Sequence, residues 1–147
     1  MTLFQTFAEK AADKPMDKVV IDTNVFISSR LTKTGNPATV MRLIVEKDME
    51  LYYSRAILGE YKRVLAYQRL KFSLEHQLTA IDDVMNIGIL IEPPESNIPM
   101  PDESDRIFYD AAKAVNAYLV TGNHKHYPEE PHILTPARFV EIFSKGG

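Results

Sequence analysis

A chain of 147 residues, 45% hydrophobic and 25% charged, has the make-up of one globular domain, which excludes the disordered and fibrous classes. It contains no cysteine, so disulfide scaffolds, thiolate zinc sites and cysteine nucleophiles are excluded, and a reducing cytoplasm suits it. A net charge of −3 argues against a broad basic surface for duplex DNA. It leaves room for clustered carboxylates, whose bound cations restore local positive potential.

Residues 1–15 stand apart. Leu3, Phe4, Phe7, Ala8 and Ala11 recur at helical spacing, with Glu9, Lys10 and Asp13 on the other side, until Lys14-Pro15 ends the pattern. Two readings stay open: a packing or partner helix, or a start codon assigned too early, with Met16 as the real start. The segment lacks the basic region and sustained apolar run of a secretory signal. No stretch of the chain approaches the roughly 18 apolar residues that span a bilayer. The expected location is therefore the cytoplasm, with no membrane partner.

Residues 16–147 are expected to form one domain of alternating strands and helices. Val19–Asp22 is the first strand and leads into a helix through Thr23-Asn24. Asn36-Pro37 opens a second helix carrying Val40, Met41, Leu43, Ile44 and Val45. Glu50–Tyr53 is a strand, and Ser54 caps a helix with Ile57, Leu58, Tyr61, Val64 and Leu65 on one stripe. Ser73 caps another, with Leu74, Leu78, Ile81 and Met85 expected inward, and Gly88 closes it before a strand at 89–91. Four prolines between 93 and 101 mark an extended loop. A helix over about 103–115, strands at 117–121 and 133–134, and a helix from Thr135-Pro136 to Phe143 complete the pattern. This alternation predicts an α/β fold, a parallel sheet with helices on both faces.

In such sheets ligands bind at the carboxyl ends of the strands, near the point where strand order reverses. Asp22 ends the first strand, Thr121-Gly122-Asn123 ends the fourth, Asp102 and Asp105 precede it, and Glu60 follows the second. Each acid has a plain structural reading: Asp22 as a helix cap, Glu60 as a surface partner of Arg63, Asp102 and Asp105 as caps at a helix start. Together they carry more. Gathered carboxylates repel one another and call for a cation, and oxygen ligands without His or Cys favour Mg²⁺ or Mn²⁺, the ions of phosphoryl chemistry.

Four segments carry a resemblance. Val19-Val20-Ile21-Asp22-Thr23-Asn24-Val25-Phe26-Ile27-Ser28 resembles the opening strand and turn of PIN-domain nucleases. Tyr53-Ser54-Arg55-Ala56-Ile57-Leu58-Gly59-Glu60-Tyr61 resembles their second acidic motif, and Asp102 to Ala112 their third. Leu119-Val120-Thr121-Gly122-Asn123 resembles the fourth. Order and spacing agree over roughly residues 16–143. The branch it looks closest to is that of the toxin components of toxin–antitoxin systems, the VapC-like ribonucleases.

The resemblance implies a three-layer α/β/α sandwich with about five parallel strands, and hydrolysis of single-stranded RNA with Mg²⁺ or Mn²⁺. It places Asp22, Glu60 and Asp105 on the metal, with Asn123 reaching it through water. Water would attack the phosphodiester in line, leaving a 5′-phosphate and a 3′-hydroxyl. An antitoxin protein and a second copy of the chain are the implied protein partners. Asn123 departs from the Asp that many relatives carry. It keeps a carbonyl oxygen but loses a charge. Asp102 is read as a cap, with supply of the missing carboxylate as the second reading.

Thr23, Asn24, Ser28, Thr121 and Lys125 are the candidate substrate contacts. Arg30, Lys33, Lys62 and Arg63 are candidates for the RNA backbone. His124 and His126, two apart in a loop, are read as packing or phosphate contacts in preference to metal ligands. The main alternative function is a catalytically weak or inactive PIN domain acting as an RNA- or protein-binding module. A phosphatase with Asp22 as phosphoryl acceptor is disfavoured because Asn24 breaks the Asp-x-Asp such hydrolases need, and a receiver domain because the strand at 89–91 ends in Glu92-Pro93 with no suitable Asp.

Overall fold

Five short strands carry the fold in the computed structural model, which describes residues 18–144. The helix expected over residues 1–15 lies outside the described residues. In chain order the elements are β1 (Lys18–Ile21), α1 (Thr23–Leu31), α2 (Asn36–Glu46), β2 (Glu50–Tyr53), α3 (Arg55–Leu65), α4 (Leu74–Ile87) and β3 (Gly88–Leu90). Then follow α5 (Arg106–Val115), β4 (Tyr118–Val120), β5 (Ile133–Leu134) and α6 (Pro136–Phe143). Short 3₁₀ turns occupy Gln68–Leu70, Glu103–Asp105 and His124–His126. The helix expected from 103 thus begins as a 3₁₀ turn and becomes α-helical only at Arg106.

The strands lie in the order β3-β2-β1-β4-β5, and every neighbouring pair is parallel. The chain runs outward from β1 to β3, then crosses back to β4. Because crossovers of this kind are right-handed, the outward helices and the returning α5 fall on opposite faces, which gives the expected three layers. α5 packs on β1, β2 and β4, while α2 packs against α1 and α6. Strand order reverses at β1, so the loops after β1 and β4 part there and leave a cleft at the carboxyl ends of the two strands.

Burial on both faces explains the unbroken apolar runs: Val19, Val20, Leu119 and Val120 have no exposure. Tyr61 of α3 stacks on Phe26 of α1, with ring centroids 4.4 Å apart, and donates its hydroxyl to the Ile21 carbonyl at 2.5 Å. That bond ties α3 to the last residue of β1, beside Asp22. Gly88 is required where α4 passes into β3: an added Cβ would stand 2.6 Å from the Val84 carbonyl oxygen and 2.7 Å from the Tyr53 ring.

One expectation is corrected. Ser73 caps α4 by accepting from the His76 N–H, but the helix buries Ala80, Ile81 and Val84. Leu74, Leu78 and Met85 are 69%, 58% and 49% exposed. The cause is position. α4 lies at the margin of the sheet against α3 and the edge strand β3, so only a narrow face of it is covered. Among the described residues no helix is long and apolar enough to cross a membrane.

Candidate active site

Asp22 occupies the N-cap position of α1, yet its side chain makes no capping bond. Its backbone carbonyl accepts from the N–H groups of Val25 and Phe26, and its own N–H donates to the Val120 carbonyl at 3.0 Å. The carboxylate turns towards β4 and the loop beyond. Oδ2 accepts from the Thr121 hydroxyl at 2.7 Å and the Tyr127 phenol at 3.0 Å, across 99 and 105 residues of chain. Asp22 is buried, so two neutral donors take the place of water on that oxygen. Thr121 also accepts from the Asn123 N–H at 3.0 Å, which fixes the turn after β4. Burial, with the Asp22 and Asp105 carboxylates nearby, holds the Tyr127 phenol firmly protonated.

Asp105 ends its 3₁₀ turn and precedes α5, and it too makes no capping bond. Capping belongs to Asp102, whose Oδ1 accepts from the Ser104 N–H at 3.0 Å and hydroxyl at 2.7 Å. Those two donors hold Asp102 below the usual carboxylate range. Asp105 goes the other way, to about 6: burial raises it first, then the charges of Asp22 and Asp102, against an opposing pull from His126. A carboxyl pushed up by burial and neighbouring acids marks a place where negative charge is gathered with too little to offset it.

Asp22, Glu60, Asp105 and Asn123 line one cleft of about 290 Å³, together with Thr23, Asn24, Arg63 and Arg69. Glu60 projects from α3 and is held there by Arg63, Nη2 at 2.6 Å from Oε1 and Nε at 3.2 Å from Oε2. The surface pair weighed from the sequence therefore exists at the cleft itself. Thr23 is buried, and its Oγ1 has no hydrogen-bond partner among the described residues.

Other residues singled out in the sequence fall elsewhere. Ser28 does not line the cleft, and Lys125 lines a larger hollow of about 850 Å³ with His124, Glu130 and Arg138. Thr121 is fully buried and touches Asp22 instead of open space. Arg30 pairs with Asp83 of α4 at 3.0 Å. Of the four candidate backbone-binding cations, only Arg63 lines the cleft.

Sequence reasoning missed Tyr127, Arg69 and the approach of His126 to the acids. Tyr127 carried a signal: a large aromatic closing the polar run Asn123-His124-Lys125-His126 is a natural anchor. Arg69 carried none, since only the turn after α3 brings it to the cleft. Tyr127→Phe is expected to destabilise the fold by about 1.5–3 kcal/mol, because it strips a donor from a buried carboxylate. Urea unfolding at neutral pH checks this, and an unchanged midpoint would contradict it.

Comparison with known proteins bears on the family and the fold. The PIN domain family model matches residues 18–125. An uncharacterized protein of Methanocaldococcus jannaschii is 31% identical over 143 residues, covering 87% of this chain and 92% of the relative. The crystal structure of VapBC2 from Rickettsia felis bound to a DNA fragment from their promoter contains a similar chain. The match has a TM-score of 0.55 at 17% identity, over 80% of this chain and 96% of that one, and the likeness is one of fold. With the matched stretch running from β1 through Asp22, Glu60 and Asp105 to the turn at Asn123, the chain belongs to the PIN-domain family.

Proposed function

We propose that the protein is a Mg²⁺- or Mn²⁺-dependent endoribonuclease that cleaves single-stranded RNA, and that it acts in the cytoplasm as the toxin of a toxin–antitoxin pair. The observation that carries this reading is the meeting of Asp22, Glu60, Asp105 and Asn123 in one cleft at the reversal of the sheet.

The residues present fit a divalent cation. Asp22, Glu60 and Asp105 supply carboxylates and Asn123 an amide as hard oxygen donors around one cleft, although these three carboxylates do not all stand within 4.8 Å of one another. The crowding that raises Asp105 is of the kind a cation relieves. Thr23, which lines the same cleft, carries a buried hydroxyl that has no hydrogen-bond partner among the described residues. Bound there, the cation would supply neutralisation of the scissile phosphate and a lowered cost of ionising the attacking water.

The side chains have separable tasks. Asp22 and Asp105 would hold the cation, and Thr121 and Tyr127 keep Asp22 in one orientation. Arg63 and Arg69 face the same space and attract the RNA backbone. Glu60, now held by Arg63, would be free to hold the cation if Arg63 engaged a phosphate. The products are a 5′-phosphate and a 3′-hydroxyl.

The antitoxin partner is supported by the likeness to a chain of a VapBC complex. Pairing of two copies belongs to the same proposal, with Leu74, Leu78 and Met85 offering apolar surface for it. A second reading, an RNA- or protein-binding module with weak or no turnover, is favoured by Asn123 in place of an acid and by the grip of Arg63 on Glu60. The test is incubation of a fluorescent single-stranded RNA with the purified protein and Mn²⁺. Cleavage that EDTA abolishes is the expected result; RNA binding without cleavage would favour the second reading.

A further inference from the structure

We propose that His126 is a ligand of the divalent cation in this cleft, making the site a mixed oxygen–nitrogen one that prefers Mn²⁺-type transition ions to Mg²⁺. The inference rests on the metal-dependent reading above and departs from the all-oxygen set that the sequence implies.

His126 Nδ1 is hydrogen-bonded to Asp105 Oδ2 at 3.1 Å and lies 3.7 Å from Asp102 Oδ2. One donor atom from each of the three residues falls within 4.8 Å of the others. Adjacent ligands of an octahedral ion, each about 2.1 Å from it, stand about 3 Å apart, so these separations suit shared coordination. Ser104 binds Asp102 through Oδ1, while the oxygen nearest His126 is Oδ2. His126 is half-exposed, and a simple ion pair at such a position contributes little.

The loop is built to hold this placement. The His126 N–H donates to the Asn123 carbonyl at 2.9 Å, and the next residue, Tyr127, is anchored on Asp22 itself. A separate observation belongs to the same cleft: Thr23, 5% exposed, is one of its lining residues, and its buried hydroxyl has no hydrogen-bond partner among the described residues. Imidazole suits transition ions, Mn²⁺ accepts it alongside the oxygen donors it shares with Mg²⁺, and Mg²⁺ itself favours oxygen and water. His124, two residues away, lines the larger hollow instead and serves as an internal control.

The experiment uses the full chain. Pulsed electron paramagnetic resonance on the Mn²⁺-loaded protein should show ¹⁴N modulation in the wild type and in His124→Ala, and lose it in His126→Ala. Calorimetry should show His126→Ala weakening Mn²⁺ by about tenfold or more while Mg²⁺ changes less than about twofold. Mn²⁺ bound without nitrogen modulation in the wild type would overturn the inference and leave the metal reading intact. No Mn²⁺ binding at all by the wild type would overturn both.

Discussion

Asp22→Asn should lower RNA cleavage by on the order of 10³-fold, the scale seen when one preorganised charge-stabilising group is removed from an active site. It should do so without unfolding the protein. The amide oxygen can still accept from Thr121 or Tyr127, the two donors that hold the carboxylate. Loss of the charge also relieves Asp105, whose carboxyl is raised in part by Asp22 and should fall back from about 6. Single-turnover cleavage and a thermal melt, run side by side, separate the two effects. A variant that cleaves within about threefold of the wild type would remove Asp22 from the chemistry.

The second large effect is a metal-dependent gain in stability that grows with pH. Without a cation, the raised Asp105 contributes stability that is fully present below the ordinary value of 3.8 and lost as pH rises through about 6. Cation binding runs the opposite way, because it needs the ionised carboxylate. At neutral pH, Mn²⁺ at about a hundred times its Kd should stabilise the fold by about 2.7 kcal/mol, a Tm rise of roughly 5–10 °C for a chain of this size. At pH 5 the rise should shrink markedly. Differential scanning fluorimetry at the two pH values, with Mn²⁺ and with EDTA, reads this directly. An equal rise at both would mean that the ion binds elsewhere than at Asp105.

Much of this site could be read from the chain because its signals are local. Val19-Val20-Ile21 is apolar on both sides because β1 is central in the sheet, and the polar residue that follows it falls at the strand's carboxyl end. Ser54 and Ser73 do cap their helices, as their places before apolar stripes suggest. The pairing of Glu60 with Arg63 follows from a spacing of three along α3. What could not be read depends on tertiary neighbours. Tyr127 reaches Asp22 across 105 residues, and no periodicity records that. The exposed side of α4 looked like a core stripe because helical spacing reports which residues share a face and not how wide a face the sheet margin covers. His126 seemed unremarkable in a loop until that loop folded beside Asp105.

The reaction claimed for this cleft is best tested by the chemical ends of its products. Water attacking a phosphodiester under carboxylate-held cations leaves the phosphate on the 5′ side of the downstream fragment and a free 3′-hydroxyl upstream. A reaction run by imidazoles such as His124 and His126, with the RNA 2′-hydroxyl as nucleophile, leaves a 2′,3′-cyclic phosphate instead. Mass spectrometry of a short single-stranded RNA cleaved in Mn²⁺ distinguishes the two. The expected products carry 5′-phosphate and 3′-hydroxyl ends and form only with the metal. Cyclic phosphate ends, or cleavage that persists in EDTA, would contradict this.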